Sequence, residues 1–120
     1  MNTSIRTIGK PTSHDAWVIF HVADRTRWEQ SLLSGTYTAS TIGRELADEG
    51  FIHLSTAEQV AGVAERFYRG VTNLVLLRVD ETLLEAPLVY EQLGDAPEPF
   101  PHLYGALNVS AVVTVEPFSA

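Results

Sequence analysis

The chain has 120 residues, no cysteine, and fifteen acidic side chains against eight basic ones, for a net charge of −7. That length fits one domain able to bury about two thirds of its unfolded surface without disulfides or metals, and the missing cysteine excludes a thiol nucleophile, a thiolate zinc site and a disulfide framework while fitting a reducing cytoplasm. The acid excess lies wholly in residues 80 to 120, which hold seven acids and no Lys or Arg; such a half repels phosphate backbones and argues against bulk nucleic-acid binding.

Residues 1–15 carry Arg6, Lys10 and Pro11 among polar residues and no apolar core, so they read as a loose leader rather than a secretion signal. Residues 16–120 read as one domain, and no segment is long and apolar enough to span a membrane. Trp17 to Val22 reads as a strand with Trp17, Ile19 and His21 on one face. Asp24 is the expected N-cap of a helix that buries Trp28 and Leu32 and ends at Gly35. An extended piece around Tyr37 leads to a second helix expected from about Thr41, with Ile42 and Leu46 as its buried pair and Gly50 as its stop.

Phe51 to Ser55 is the next expected strand, placing Phe51, His53 and Ser55 on one face. Ser55-Thr56-Ala57-Glu58 has the form of a capping box, and Val60, Val63, Ala64 and Phe67 form an apolar stripe at helical spacing before Gly70. This junction aims Ser55, Thr56 and backbone N–H groups at one point, a ready site for a hydroxyl or phosphate. Arg66 and Arg69 lie three apart on the same helix and read as a solvated face. Asn73 to Val79 is a continuous apolar run, the pattern of a central strand, ended by Asp80 and a turn through Leu84. Leu88 to Tyr90 forms a further strand. Gly94 to Pro101 contains three prolines and reads as a surface loop that closes over a site, with His102 and Tyr104 emerging from it. Val109 to Val115 is the last expected strand.

Three of the four histidines, His21, His53 and His102, stand inside apolar segments. A half-buried imidazole needs a hydrogen-bond partner, and small changes around it move its protonation across neutral pH, so three of them point to one shared polar pocket. Each ring could instead bond a nearby carbonyl. A zinc triad is disfavoured because the three come from separate segments with no close-spaced helical pair, so no metal ligand is assigned. A metal-free acid/base pair drawn from these histidines, acting on RNA or in phosphotransfer, is chemically sound but lacks a basic face.

The runs Ile19-Phe20-His21-Val22-Ala23, Glu49-Gly50-Phe51-Ile52-His53-Leu54-Ser55-Thr56-Ala57-Glu58-Gln59-Val60 and Phe100-Pro101-His102-Leu103-Tyr104-Gly105 together resemble a widespread family of small bacterial domains of unknown function, over roughly residues 17 to 118. The resemblance implies a fold similar to the ADP-ribosyltransferase superfamily: a compact α+β domain with a split mixed or antiparallel sheet, flanking helices and NAD in a central cleft. It assigns cofactor binding to His21, His53, Ser55, Thr56 and Tyr104. The late catalytic position falls to Glu91 or His102, Glu91 having the charge that an oxocarbenium-like transition state calls for. The implied function is nucleotide binding, with transfer of ADP-ribose from NAD to an unidentified acceptor, or else a non-catalytic sensor of NAD, ADP-ribose or another nucleotide.

Overall fold

The computed structural model describes residues 17–41 and 43–120; the leader over residues 1–15 and the expected burial of Ile42 lie outside them. β-Branched and aromatic residues set β1, Val18–Asp24. Asp24 ends it and caps α1, Arg25–Ser34, its carboxylate accepting the Arg27 backbone N–H at 2.9 Å. Gly35 closes that helix in the left-handed region at φ 85°. The helix buries Trp28 and Ser31. Leu32, expected inside, is 54 % exposed, because the buried stripe runs at a spacing of three and leaves its neighbour on the solvent side.

The helix expected from Thr41 begins later. β2 (Thr36–Tyr37), β3 (Ala39–Thr41) and β4 (Arg44–Glu45) come first, with β3 and β4 paired as a hairpin. Gly43, at φ 78°, makes the turn that a continuous helix would not allow. Only Leu46–Glu49 is helical, as α2, before Gly50. The strand expected over 51–55 shortens to β5, Ile52–His53, with Ser55 forming a separate bridge to Phe20.

The capping box expected at Ser55 and Glu58 is replaced by a turn one residue on that only half resembles it. Thr56 and Gln59 close that turn: the Thr56 N–H donates to Gln59 Oε1 at 3.0 Å and the Gln59 N–H to the Thr56 backbone carbonyl at 3.0 Å. The following helix, α3, spans Val60–Phe67. The expected cluster of free donors is therefore already committed, since the Ser55 N–H also donates to the Phe20 carbonyl.

β6, Leu74–Asp80, is central as its apolar run predicts, lying between β1 and β10. β7 is Leu88–Glu91, β8 Phe100–Leu103, β9 Leu107–Asn108 and β10 Val112–Phe118. Two expectations fail here. Phe100 to His102 belong to a strand rather than a loop, and a 3-10 turn at Val109–Ala111 delays the last strand to Val112. Pro101 stands opposite Leu54 at the end of the β5–β8 ladder and keeps half of that pairing, its carbonyl accepting the Leu54 N–H at 2.9 Å, so the strand forgoes a single hydrogen bond there.

Every pairing among the described strands is antiparallel. One three-stranded sheet runs β1-β6-β10 and a second β5-β8-β7, with the β2-β9 and β3-β4 pairs beside them. The Phe20–Ser55 bridge joins the two larger sheets at the β1 edge. Ile19, Leu77 and Val79 from the first sheet and Ile52 and Leu103 from the second share one core with Trp28, Tyr37 and Leu107. The inner face of the second sheet thus belongs to the core, and its opposite face is left to carry the site.

Candidate functional site

Antiparallel register builds the site. His53 on β5 stands directly across from His102 on β8, and side chains so opposed share a face. Moving two residues along each strand keeps that face, which adds Phe51, Phe100, Tyr104 and Glu91 to the two histidines. The rings confirm the placement: His53 and His102 have centroids 5.5 Å apart, Phe51 stacks on His102 at 4.1 Å, and His53 lies against Phe100 at 4.9 Å.

Glu91 and His102, alternatives for one role at the level of sequence, are joined in the structure. His102 Nδ1–H donates to Glu91 Oε2 at 2.9 Å, and the Tyr104 hydroxyl donates to the same oxygen. These two hydrogen bonds, Tyr104 first, hold the Glu91 carboxyl below the usual carboxylate range. A charged Glu91 orients the His102 ring, leaving its Nε2 without a protein partner among the described residues. The carboxylate reciprocally raises the Tyr104 hydroxyl above its ordinary value.

His53 is partly buried, and that burial, with His102 beside it, lowers its pKa to about 4. Its imidazole is therefore neutral at neutral pH, and neither ring nitrogen has a hydrogen-bond partner among the described residues.

His21 has a different setting. Its Nδ1 lies 2.7 Å from the His53 carbonyl and its Nε2 3.0 Å from the Tyr37 hydroxyl. Because a carbonyl can only accept, Nδ1 carries the proton and Nε2 accepts from Tyr37. Burial lowers the His21 pKa to about 4 and raises Tyr37 above the usual tyrosine range, so both groups hold the neutral forms this chain of bonds requires. The ring props the backbone of β5 from the core side.

A cavity of about 600 Å³ opens on the face that carries His53 and His102, within the few-hundred to about 1,000 Å³ range usual for small-molecule sites. Phe51, Phe67 and Phe100 supply aromatic surface, and Ser40 and Thr41 form part of the wall from β3. Asp95, Ala96, Pro97 and Glu98 bring in the proline-rich loop, as its composition predicts. Gln59 pins that loop to α3 through Nε2–H donated to the Pro99 carbonyl at 2.7 Å. The charged wall residues are Arg44, Arg66, Glu49, Glu58, Asp95 and Glu98. Arg44 is paired with Glu49 at 2.6 Å, whereas Arg66 rests against the Phe67 ring.

Of the residues singled out in the sequence, His53 and His102 line the cavity, and Glu91 and Tyr104 attach to it through His102. His21, Ser55 and Thr56 are not on its wall. Arg66 and Arg69 are both exposed, as a solvated face requires; Arg66 also borders the cavity, and Arg69 pairs with Glu65. Sequence reasoning missed Ser40, Arg44 and Gln59. The alternation Phe51-x-His53 was the one local signal that could have enlarged the aromatic part. Among the described residues no group of three or more His, Asp or Glu side chains is placed to hold a metal ion, and no helix is long and apolar enough to cross a membrane.

The fold and site define an α+β domain with antiparallel sheets, few helices and a histidine-bearing cavity. The chain belongs to the family described as "Protein of unknown function (DUF952)", whose model matches residues 22–115. It is similar to the crystal structure of protein CC0527 from Caulobacter crescentus, with 34% sequence identity and a TM-score of 0.72 over 83% of this chain and 84% of that one. The solution NMR structure of CC0527 gives 33% identity and a TM-score of 0.69 over 85% of this chain and 84% of that one. No curated protein sequence matches the chain.

Proposed function

We propose that this domain binds a nucleotide in the β5–β8 cavity and that the Glu91–His102 pair acts on it as a carboxylate-backed base, the ADP-ribosyltransferase-like reading. The observation that carries it is the hydrogen bond between His102 Nδ1–H and Glu91 Oε2 on a residue that lines a cavity of about 600 Å³, with no partner for the other imidazole nitrogen among the described residues. Such a pair fixes the tautomer, and the carboxylate stabilises the imidazolium formed when Nε2 takes a proton.

The wall fits the parts of a nucleotide unequally. Phe51, Phe67 and Phe100 offer flat apolar faces, and His53 and His102 offer nitrogens that can bond hydroxyls. Arg66 is the wall guanidinium without a carboxylate partner among the described residues, and four carboxylates share that wall. This balance suits a ligand with few phosphates. NAD, when bound, would supply an activated ribosyl carbon and a leaving nicotinamide. This chain's part is for His102 to take the proton of an acceptor hydroxyl at Nε2 while Glu91 stays ionised behind it.

A second reading is favoured by the same geometry. Of the Glu91–His102 pair it is the imidazole that stands on the cavity wall, whereas a positively charged ribosyl transition state calls for the carboxylate. Binding without transfer, as a nucleotide sensor, fits that arrangement.

Calorimetry with AMP, ADP-ribose and NAD, together with an assay for nicotinamide release, separates the readings. At least one nucleotide should bind, and His102→Ala should weaken it tenfold or more. Nicotinamide release that depends on His102 supports transfer, binding without release supports the sensor, and no binding of any of the three overturns both.

A further inference from the structure

His102 is 4 % exposed, yet its Nε2 has no protein partner among the described residues and remains open to solvent. Its residue lines the cavity, so the partner this nitrogen lacks is one the cavity can admit. On the same cavity Glu58, Asp95 and Glu98 are exposed carboxylates with no ion pair among the described residues. Glu58 and Glu98 come together through the 2.7 Å bond from Gln59 Nε2–H to the Pro99 carbonyl, since each immediately precedes one of the bonded residues. Phe67 from α3 and Leu93 from the loop before β8 add apolar surface to this rim, 53 % and 44 % exposed.

We propose that the rim formed by Glu58, Asp95 and Glu98 is a subsite for the ammonium group of a small organic amine, and that a hydroxyl-bearing amine is the acceptor whose proton His102 takes. The role of the amine rests on the transfer reading of the cavity; its binding does not. In the transfer step the acceptor oxygen bonds the ribosyl carbon, the bond from that carbon to nicotinamide breaks with its electron pair left on the nicotinamide nitrogen, and the hydroxyl proton passes to His102 Nε2. Because Nδ1–H donates to Glu91, Nε2 is the accepting nitrogen, and a hydroxyl is the donor that complements it.

The charges select a cation. Arg44 is spent on Glu49, and Arg66, beside the Phe67 ring, is the one wall guanidinium left among the described residues against three unpaired carboxylates. His53, brought down to about 4 by burial, adds no positive charge at neutral pH. A cleft lined by one sign of charge concentrates ligands of the opposite sign and repels those of its own. The exposed Phe67 and Leu93 side chains then favour an ammonium carried on an apolar or aromatic body over a hydrated inorganic ion, which has no use for such surface.

The test uses the full chain and three probes of one shape, followed by ¹H–¹⁵N NMR titration. Tyramine carries a phenol hydroxyl, a flat ring and an ammonium; tyrosol replaces the ammonium by a neutral hydroxyl, and hydroxyphenylacetate presents a carboxylate. Tyramine should shift the signals of His102 and of the rim, and the other two should bind at least about tenfold more weakly. Glu58→Gln combined with Glu98→Gln should weaken tyramine about tenfold and leave tyrosol within about twofold, with an unchanged melting temperature because both side chains are exposed. Arg66→Gln, which removes the competing cation, should strengthen tyramine severalfold. Hydroxyphenylacetate or tyrosol binding as well as tyramine, tyramine binding the paired variant as well as wild type, or no shift with any probe would each overturn the proposal. Tyramine binding that follows the carboxylates, with none of AMP, ADP-ribose or NAD bound, would retain the ammonium subsite and remove the acceptor role together with the transfer reading. Nucleotide binding without any preference for the amine would remove the subsite alone.

Discussion

His21 and His53 are both kept neutral by burial, yet only His53 is on the cavity wall, and the difference comes from what their nitrogens touch. His21 spends both on the protein, one on the His53 carbonyl and one on the Tyr37 hydroxyl. Tyr37→Phe removes the donor to Nε2 and leaves a buried acceptor unpaired, so it should cost about 1–3 kcal/mol in denaturant unfolding while leaving nucleotide affinity within a fewfold. Glu91→Gln keeps the shape and removes the charge. Under the transfer reading it should lower nicotinamide release by roughly a hundredfold, about 3 kcal/mol of transition-state stabilisation, with NAD affinity changed little. Release at the wild-type rate would remove Glu91 from the mechanism. The pairing of Glu91 with His102 was not legible in the sequence, since eleven residues and a proline-rich loop separate them and only the β7–β8 register brings them together.

At the scale of elements, the first strand-to-helix junction was the most readable. Asp24 and Gly35 bound α1 as their chemistry dictates, so Asp24→Ala should destabilise the domain by about 1 kcal/mol, read from the denaturant midpoint. Gly105 has a φ of 157°, and a Cβ there would meet the Ala86 Cβ at 2.6 Å. Gly105→Ala should therefore cost about 1–3 kcal/mol, and because Gly105 follows Tyr104, it should also weaken the Tyr104 contact to Glu91. An unchanged unfolding midpoint would refute the close approach. The least readable elements were the short ones. β5 has two residues, Ile52 and His53, too few for a period to show. β8 contains Pro101, whose presence argues locally for a loop and is outweighed by its pairing with Tyr90 and by the Leu54 N–H that its carbonyl accepts.

For the whole molecule, the two lowered imidazoles set a pH dependence of folding. In the unfolded chain a histidine titrates near 6.5, and in the folded chain burial brings His21 and His53 down to about 4. Between those values the unfolded state binds more protons, so stability rises with pH across that window. The contribution is complete above pH 6.5 and is lost as pH falls toward 4, on the order of 3 kcal/mol for His21 alone. Urea unfolding from pH 7 to pH 4 should show this loss, and His21→Gln should flatten the curve; a stability that does not change over that range would contradict the neutral buried ring. The central claim is that the cavity bearing His53 and His102 is where the ligand binds, while His21 is internal scaffolding. Long-range ¹H–¹⁵N spectra of the imidazole nitrogens, recorded as AMP or NAD is added, test it most directly. The His53 and His102 ring signals should move in step with occupancy while those of His21 stay fixed as an Nδ1–H tautomer. Movement of His21 with His53 and His102 unaffected would contradict it.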